Sequence, residues 1–484
     1  MKIWNRVLSV ELNGVKNINH GLICFPESTY AMSMNKCKKS GILGVYGHNG
    51  SGKTALVDTF YILKEFSLQR PLVLPNKEGK IEINSVLMNF VSVHTGVAEC
   101  KFRFLQTYLN IPYVLDYSFS FGKKDNGVPT LKKEQIQILK PNPKKDGYVR
   151  FGKLWAIDYS EVTKSTIELF DVAFAYTKDI DVVAENMTKI ADYAKDVQKS
   201  SDGCCSFLLS ERMKEIAEER FQGDRLMQAE IIRALADQIA YGLFVYTMNE
   251  GALQTLGTSI FLGGDENLHG CLMFREKNPA PINANQKKLM MQTEEHVNRI
   301  ISSVIPGFRM KPSFEKAGKN EKGEELYNVR FYSVKGKAEI PLIAESNGIQ
   351  KLVSIASAIA EVYANPSTWL VVDELDSGVY EPLLRSLLSS LDEEAAGQMI
   401  FTAHNLGVLE VLPHDNLVFT TNNPENRYIK LKNVKPTNNL RDFYLRSLLI
   451  GGQDEELSAE IDPEEISSSL YEVKDLLPSA DKRA

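Results

Sequence analysis

The run Gly41-Ile-Leu-Gly-Val-Tyr-Gly-His-Asn-Gly-Ser-Gly-Lys-Thr54 sets the architecture of this chain. Its apolar first half predicts a buried central strand, and the apolar spacing of residues 55–66 predicts a helix directly after it. Between them, glycines at 47 and 52 followed by Lys53 and Thr54 satisfy GxxxxGK[ST] at every fixed position. A strand, a glycine-rich turn and a helix start are the context in which this pattern forms a phosphate-binding loop.

The predicted loop binds phosphate mainly through its backbone, because glycines allow successive N–H groups to close around the oxygens. The ammonium group of Lys53 is expected to reach the β- and γ-phosphate oxygens, and the hydroxyl of Thr54 to hold Mg²⁺. ATP and Mg²⁺ are therefore the expected ligands. The loop residues predicted to bind ATP are Gly47, Asn49, Gly50, Ser51, Gly52, Lys53 and Thr54.

The composition is that of a folded, soluble protein with several packed units: of 484 residues, 43% are hydrophobic and 24% charged. A net charge of −6 excludes a uniformly basic nucleic-acid coat. The six cysteines and seven histidines lack metal-ligand spacing, which indicates reduced thiols. No uncharged apolar run reaches about 18 residues and the N-terminus lacks a signal-peptide core, so we expect a cytoplasmic protein without a membrane segment.

Two further apolar runs end in polar residues suited to phosphate chemistry. Residues 368–372 predict a strand that ends at Asp373 and Glu374. Asp373 is the expected partner of Mg²⁺, and Glu374 is placed to polarise an attacking water. Residues 399–403 predict another strand, which ends at His404. Taken singly, the two acids also fit an ordinary surface strand end, and a lone histidine is more often structural.

A third segment, Glu345-Ser346-Asn347-Gly348-Ile349-Gln350-Lys351, opens a predicted helix. Serine and glycine at a helix start present a hydroxyl and free N–H groups to an anion. By itself this segment fits an ordinary N-cap. Its order and spacing relative to the other three motifs favour a shared nucleotide site instead.

This order of motifs resembles the ABC-type ATPase heads shared by SMC, RecF and OLD proteins. The resemblance covers residues 1–140 and 300–440 and implies an α/β fold: an ABC-type P-loop ATPase head, in which a mixed sheet with an antiparallel β subdomain carries a mostly helical insert. It implies that two heads sandwich two nucleotides. Carried over by position, it assigns γ-phosphate contacts across the dimer to Ser346 and Gly348, catalysis to Glu374 and His404, Mg²⁺ binding to Asp373 and Thr54, and the nucleotide-binding D-loop to Asp376.

Two departures from a transporter ATPase indicate the OLD-like branch. The signature reads Glu-Ser-Asn-Gly-Ile at 345–349 instead of Leu-Ser-Gly-Gly-Gln, and residues 53 and 346 lie too far apart in sequence for a transporter subunit. A Q-loop glutamine is not assigned, although Gln106 lies in the right general region. The phrases Ile-Phe-Thr-Ala-His-Asn-Leu and Val-Asp-Glu-Leu-Asp-Ser-Gly-Val-Tyr resemble stand-alone ATPases of abortive-infection and phage-defence operons, such as AbiL-type proteins and the AriA subunit of PARIS.

The resemblance implies an ATP hydrolase that controls a separate effector during phage infection. OLD nucleases continue into a TOPRIM domain after the histidine strand, but the residues that follow His404 here contain no strand-borne Asp-x-Asp pattern. We therefore see no nuclease active site in this chain and expect the effector, a nuclease or TOPRIM-like protein, to be another chain. The expected self-partner is a second copy in a head dimer or a higher homo-oligomer.

The domain prediction divides the chain into four parts. Residues 1–150 form the N-terminal lobe of the head with the phosphate loop, and residues 151–300 a helical insert that contributes to dimerisation. Residues 301–440 form the C-terminal lobe with the signature, the Asp-Glu strand and the histidine strand. Residues 441–484 form a helix with an acidic tail.

Two other functions stay open from the sequence. The Lys-rich stretch 122–153 could neutralise DNA phosphates, as in a RecF/SMC-like DNA-repair clamp, although a solvated loop fits its composition better. A nucleotide-stabilised scaffold with little turnover is the second alternative. The amphipathic segment 440–450 with the acidic tail fits either partner docking or a solvated chain end.

Overall fold

The protein has the mixed α/β fold expected from its sequence. The computed structural model describes residues 5–26, 41–70, 72–75, 81–123, 127–144, 147–152, 154–159, 205–247, 258–263, 269–274, 281–435, 438–457 and 463–476. None of the helices within these ranges is long and apolar enough to span a bilayer.

The strands and helices are numbered in chain order. The strands are β1 (Asn5–Val15), β2 (Ile18–Cys24), β3 (Gly41–Tyr46), β4 (Val73–Pro75), β5 (Ile81–Ile83), β6 (Val97–Tyr108), β7 (Ile111–Lys123), β8 (Pro129–Pro141), β9 (Tyr148–Arg150), β10 (Trp155–Asp158), β11 (Leu243–Tyr246), β12 (Thr258–Gly263), β13 (His269–Phe274), β14 (Ile282–Asn283), β15 (Phe308–Lys319), β16 (Glu325–Lys335), β17 (Ala338–Pro341), β18 (Trp369–Val372), β19 (Gln398–Ala403), β20 (Leu417–Thr420) and β21 (Tyr428–Ile429). The helices are α1 (Lys53–Ser67), α2 (Ser85–Met88), α3 (Glu211–Arg220), α4 (Gly223–Gly242), α5 (Ala284–Val304), α6 (Asn347–Ala364), α7 (Glu381–Glu394), α8 (Leu440–Ile450) and α9 (Pro463–Leu476).

A six-stranded sheet, in the order β11-β18-β19-β3-β20-β21, forms the centre of the head. Its strands are parallel except for the last pair, β20 and β21. Every residue of β3, β18, β19 and β20 is buried, as expected for strands covered on both faces. The carboxyl ends of parallel strands meet at one edge. The loops after β3, β18 and β19, which carry the phosphate-loop, Asp-Glu and histidine motifs, therefore lie side by side.

A seven-stranded antiparallel sheet, β10-β8-β7-β6-β1-β2 with β9 paired to β8, packs against α1. Inward-facing residues of this sheet form one core with α1, α3 and α4, in which the rings of Phe60 and Phe102 meet edge to face at 5.2 Å. Strands β6, β7 and β8 follow one another in the chain and pair antiparallel as neighbours. This sheet is the predicted antiparallel β subdomain.

Buried polar contacts join the two sheets. The side chain of Gln398, at the start of β19, accepts a hydrogen bond from the N–H of Val7 at 2.7 Å and donates to the Val7 carbonyl at 2.9 Å. The indole N–H of Trp369 donates to the carbonyl of Asn5 at 3.0 Å. Buried backbone groups of β1 are thus satisfied by side chains of the parallel sheet, which holds the two sheets in one relative position.

A third sheet, β14-β16-β15 with β17 paired to β16, forms a lobe with α5. Its core contains Phe308 and Phe331 and extends onto Val353 of α6. The opposite side of α6 packs under the parallel sheet through Ile355 and Ile359. Helix α6 therefore belongs to both the lobe and the head.

The segment 151–300, predicted as a mostly helical insert, contributes strands to both main sheets. Strand β10 pairs with β8, and β11 pairs with β18. Helices α3 and α4 belong to the core between the sheets. Residues 205–247 therefore pack with the two main sheets, and α4 leads directly into the apolar strand β11. Residues 160–204 of the predicted helical insert lie outside the described residues. The division of the chain at 150, 300 and 440 stays a prediction.

The buried carboxylate of Glu134 joins two points that lie far apart in sequence. Tyr159, next to β10, donates its hydroxyl to this carboxylate. The hydroxyl of Ser206 at 2.5 Å and the N–H groups of Phe207 at 2.7 Å and Leu208 at 3.0 Å donate to it as well. Burial raises the pKa of Glu134, and these hydrogen bonds oppose the rise. The chain on either side of residues 160–204 is thus attached to one side chain of β8.

Replacing Glu134 by leucine is expected to lower the free energy of unfolding by about 2 to 4 kcal/mol, because the buried N–H of Leu208 and the hydroxyl of Ser206 would lose the carboxylate as acceptor. The N–H of Phe207 would keep only the hydroxyl of Tyr159 at 3.2 Å. Glu134→Gln keeps one acceptor oxygen and is expected to cost about 1 kcal/mol or less. The midpoint of urea unfolding, followed by circular dichroism, measures both changes. An unchanged midpoint for the leucine variant would contradict this role.

Candidate functional site

The phosphate loop runs from the end of β3 to the start of α1. Gly52, the N-cap of α1, has a φ of 97°, a left-handed conformation that favours glycine. A Cβ at Gly47 would lie 1.6 Å from the hydroxyl oxygen of Thr420 on the neighbouring strand β20. The loop therefore requires glycine at both of these fixed positions of the motif.

Lys53 lies folded over the loop. Its ammonium group donates to the carbonyls of Gly47 at 2.8 Å and His48 at 2.9 Å. Burial lowers the pKa of Lys53, and the nearby carboxylates of residues 373, 374 and 376 oppose this change. The lysine thus stands between the loop and the acidic residues after β18, where a phosphate could replace the loop carbonyls as its partner.

Neighbouring strands hold the loop from outside. The hydroxyl of Tyr428 donates to the carbonyl of Gly52 at 2.8 Å, and the amide of Asn17 donates to the carbonyl of Gly50. The buried hydroxyl of Ser51 accepts a hydrogen bond from Thr420 at 2.6 Å. The side chain of Ser51 is therefore part of this bracing, so its predicted contact with ATP would have to come from the backbone.

Among the described residues, one carboxylate oxygen of Asp373 has no partner. Its Oδ1 accepts a hydrogen bond from the hydroxyl of Thr402 at 2.6 Å, while its Oδ2 is buried and no described residue donates to it. The residue is only 2% exposed. A buried, unpartnered carboxylate oxygen is costly unless a cation or a donor is bound there. This atom, with the hydroxyl of Thr54 at the start of α1, fits the hard oxygen ligands that Mg²⁺ takes.

The turn at Glu374 is held from two sides. Glu374 has a φ of 47°, an uncommon conformation for a residue with a side chain. Its N–H donates to the hydroxyl of Thr402 at 2.7 Å, and its carbonyl accepts from the ammonium group of Lys351. Thr402 therefore orients both acidic residues with one hydroxyl, as donor to Asp373 and acceptor for Glu374.

Lys351 connects α6 to the same turn. Its ammonium group also donates to the carbonyl of Asp373 at 3.1 Å. Burial lowers the pKa of Lys351, and the carboxylates of Asp376, Asp373 and Glu374 oppose the shift. With Lys53 on the other side, two lysines therefore flank the acidic residues.

Asp376 serves the histidine loop in this chain. Its Oδ2 accepts hydrogen bonds from the backbone N–H groups of His404 at 2.8 Å and Asn405 at 2.6 Å. This oxygen fixes the backbone of the histidine loop, and the contribution of Asp376 to ATP binding through the D-loop stays a prediction. His404 itself is exposed at the end of β19, where its imidazole can meet a bound ligand.

The signature residues lie at the start of α6. Ser346 is the N-cap, exposed, and its hydroxyl accepts only a long hydrogen bond of 3.5 Å from the N–H of Ile349. Gly348 is buried, and a Cβ there would lie 1.9 Å from the carbonyl oxygen of Gly378. Among the described residues, no hydrogen bond or ion pair links 345–350 to the phosphate loop of the same chain.

Gln106 does not lie in this site. It is fully buried on β6 opposite Asn5 of β1, and its amide has no hydrogen-bond partner among the described residues. Asn5 contacts the start of β18, at the end of the strand remote from Asp373. A Q-loop glutamine is therefore not assigned among the described residues of the site.

One family model matches part of the chain. Residues 229–410 match the model described as "AAA domain, putative AbiEii toxin, Type IV TA system". The matched range contains the signature, the Asp-Glu strand and the histidine strand, and it begins after the phosphate loop. This match supports an AAA-type ATPase domain. No curated protein matches the sequence.

Several solved structures of Smc heads are similar to the chain at low sequence identity. A Smc head bound to the C-winged helix domain of ScpA has 13% identity and a TM-score of 0.40, covering 88% of this chain and 98% of that one. The Pyrococcus furiosus Smc head with an extended coiled coil, bound to the C-terminal domain of ScpA, has 14% identity and a TM-score of 0.36, with 88% and 96% covered. The SMC head domain of Thermotoga maritima has 14% identity and a TM-score of 0.32, with 88% and 99% covered.

Several residues that shape the site were not predicted from the sequence, namely Thr402, Lys351, Thr420, Tyr428 and Asn17. A weak signal existed for two of them. Thr402 is the polar residue in the apolar run before His404, and Lys351 closes the signature segment. Their partners could not be read from sequence, because they lie on other strands.

Thr402→Val is expected to lower ATP turnover roughly 10- to 100-fold, the scale of a misplacement of about 1 Å at reacting groups. It removes the donor to Asp373 and the acceptor for the N–H of Glu374 at nearly constant volume. ATP affinity is expected to stay within about threefold, because the phosphate loop is untouched. Steady-state ATPase kinetics and binding of a fluorescent ATP analogue separate the two effects.

Thr402→Ser is the matched control, because it keeps the hydroxyl. Turnover near that of the unchanged chain is expected. If the valine and serine variants had equal turnover, the hydroxyl would have no part in orienting the acidic residues.

Proposed function

We propose that the chain is an ABC-type ATPase that binds and hydrolyses ATP between two copies of its head and controls a separate effector in anti-phage defence. The observation that carries the ATPase assignment is the convergence of Lys53, the free Oδ2 of Asp373 and the strained Glu374 at one edge of the parallel sheet. Such an arrangement supplies a phosphate cradle, a cation ligand and a general base.

The chemistry follows from these residues. The backbone of the phosphate loop and Lys53 bind the β- and γ-phosphates, and Thr54 and Asp373 are the residues that would hold Mg²⁺. When bound, Mg²⁺ neutralises charge that develops on the phosphate oxygens. Glu374 accepts a proton from the water that attacks the γ-phosphorus, and the bond to the β-phosphate oxygen breaks to leave ADP and phosphate.

The proposed dimer is supported by the position of the signature. Ser346 is exposed and its hydroxyl accepts only a long hydrogen bond, and Gly348, two residues later, lies against the carbonyl of Gly378. A second copy facing this surface could bring its own Ser346 and Gly348 to the γ-phosphate. These residues would then make the contacts that an arginine finger makes in other P-loop ATPases. Head dimers could also associate into a higher homo-oligomer.

The proposed role in phage defence is supported by sequence similarity alone. It rests on the resemblance of the sequence around the Asp-Glu and histidine strands to phage-defence ATPases, and on the AbiEii description of the family model that matches residues 229–410. The effector is proposed to be a nuclease or TOPRIM-like protein encoded as another chain. ATP binding would set whether the effector is held or released.

A DNA clamp is the second candidate function. The basic stretch 122–153 offers a contact surface because five of the basic residues that the structure describes in it are exposed: Lys123, Lys133, Lys140, Lys144 and Arg150. Binding through such side chains depends steeply on salt because phosphate contacts release counterions. ATPase activity stimulated by duplex DNA, and lost between about 50 and 200 mM salt, would favour this function.

Glu374→Gln is expected to keep ATP binding while lowering turnover about 10²- to 10⁴-fold, because the amide cannot accept the proton of the attacking water. ATP should therefore trap this variant as a dimer, measured by light scattering after size exclusion. Lys53→Ala should neither bind ATP nor dimerise with it. Glu393→Gln, which changes an exposed carboxylate on α7, is the matched control and should hydrolyse ATP normally.

Turnover by Glu374→Gln equal to that of the control would refute the site assignment. A trapped dimer with unchanged biological activity would instead favour the nucleotide-stabilised scaffold.

The tagged Glu374→Gln variant, isolated from its native host with ATP present, is expected to carry a second protein in stoichiometric amount. Mass spectrometry of the complex identifies that protein. Lys53→Ala, isolated in the same way, should lose it. Nucleic acid without such a protein would support the DNA clamp and contradict effector control.

A further inference from the structure

A long β-hairpin leads from the lobe to the signature. Strands β15 and β16 are paired along their whole lengths, and β15 alone spans about 40 Å at the rise of an extended chain. Residues 315–319 at its outer part are exposed, while Phe308 and Met310 at its inner end are buried. The tip of the hairpin therefore projects from the lobe core. Its base, at the end of β16, lies close to the start of α6.

Glu345, the residue before the signature serine, is bound by the hairpin. Its carboxylate accepts a hydrogen bond from the hydroxyl of Ser333 at 2.5 Å and from the ammonium group of Lys335 at 3.0 Å. Both partners lie on β16. The side chain of Glu345 is 8% exposed and Ser333 is fully buried. The hydrogen bond from Ser333 is therefore shielded from solvent. The side chain of Lys335 is 42% exposed, so water and salt screen its ion pair with Glu345.

The charge on Glu345 is maintained by these contacts. Burial by itself would raise the pKa of its carboxyl group, but the hydrogen bonds from Ser333 and Lys335 outweigh burial and lower it. A negatively charged, nearly buried side chain thus stands directly before Ser346.

Helix α6 holds the same short segment from the other side. The side-chain amide of Gln350 donates to the carbonyls of Ile343 at 3.0 Å and Glu345 at 2.6 Å. Ser346 follows immediately and exposes its hydroxyl. The backbone that sets the position of this hydroxyl is therefore held between β16 and α6, and α6 reaches the Glu374 turn through Lys351.

We propose that Glu345 is a positioning residue for the signature serine, through which the β15–β16 hairpin acts on the nucleotide site. This inference rests on the proposed function, since Ser346 takes part in hydrolysis only when a second copy is bound. Movement of β16 relative to α6 displaces Glu345 and with it Ser346. A small displacement is sufficient, because a misplacement of about 1 Å at reacting groups can cost 10²-fold in rate.

Glu345→Ala in the full chain tests the proposal. Turnover is expected to fall about tenfold or more, and the ATP-trapped dimer of the Glu374→Gln background to weaken by a similar factor. Affinity of the single head for a fluorescent ATP analogue is expected to stay within about threefold, because the phosphate loop is intact. Glu345→Gln keeps an acceptor for Ser333 and should restore part of the turnover.

Glu339→Gln is the matched control. Glu339 lies on β17 and pairs with Lys311 of β15 at 2.6 Å, but both side chains are about half exposed. Its loss should leave turnover and dimerisation unchanged. Lys335→Met should also lower turnover, because it removes the donor to Glu345. The double variant should turn over no more slowly than Glu345→Ala, because both changes break the same contact between Lys335 and Glu345.

The outcomes separate this inference from the proposed function. If Ser346→Ala lowers turnover at least tenfold and Glu345→Ala does not, the role of Glu345 is refuted and the dimeric site stands. If Ser346→Ala also leaves turnover unchanged, the dimeric site itself is wrong. A parallel loss of ATP affinity and of the thermal midpoint in Glu345→Ala would show a merely structural contact and overturn the proposal.

Discussion

The parallel pairing of β19 between β3 and β18 is the constraint on which the site depends. Phe401 of β19 lies opposite both Gly44 of β3 and Val372, the last residue of β18, and β3 and β19 end together two residues later. The phosphate loop, the acidic turn and the histidine loop start from this edge. Thr402, the next residue of β19, can therefore reach Asp373 and Glu374 with one hydroxyl.

Buried polar groups maintain this arrangement wherever two layers meet. Gln398 satisfies both backbone groups of Val7 in the antiparallel sheet, and Glu134 gathers hydroxyl and N–H donors from either side of residues 160–204. Each group would be costly if left unpaired in an apolar interior. The apolar core drives the sheets together, and these contacts select one alignment of them.

Helix α6 connects the signature, the Glu374 turn, the lobe and the parallel sheet. Its first turn carries Ser346 and Gly348, its Lys351 holds the carbonyls of the strained Glu374 turn, and its apolar faces belong to both the lobe and the head. Because packed helices move as rigid bodies, the position of the lobe is coupled to both the signature and the acidic turn.

The sequence by itself determined the strand, loop and helix around the phosphate loop, the mixed α/β fold and the residues at three strand ends, because these depend on local periodicity and short spacing. Only the tertiary structure decided that Thr402 orients the acidic residues, that Asp376 accepts hydrogen bonds from the histidine loop and that residues 205–247 pack with the two main sheets. Glu345 is an example of the reason: its partners Ser333 and Lys335 lie on another strand, and long-range pairing leaves no local pattern in the chain.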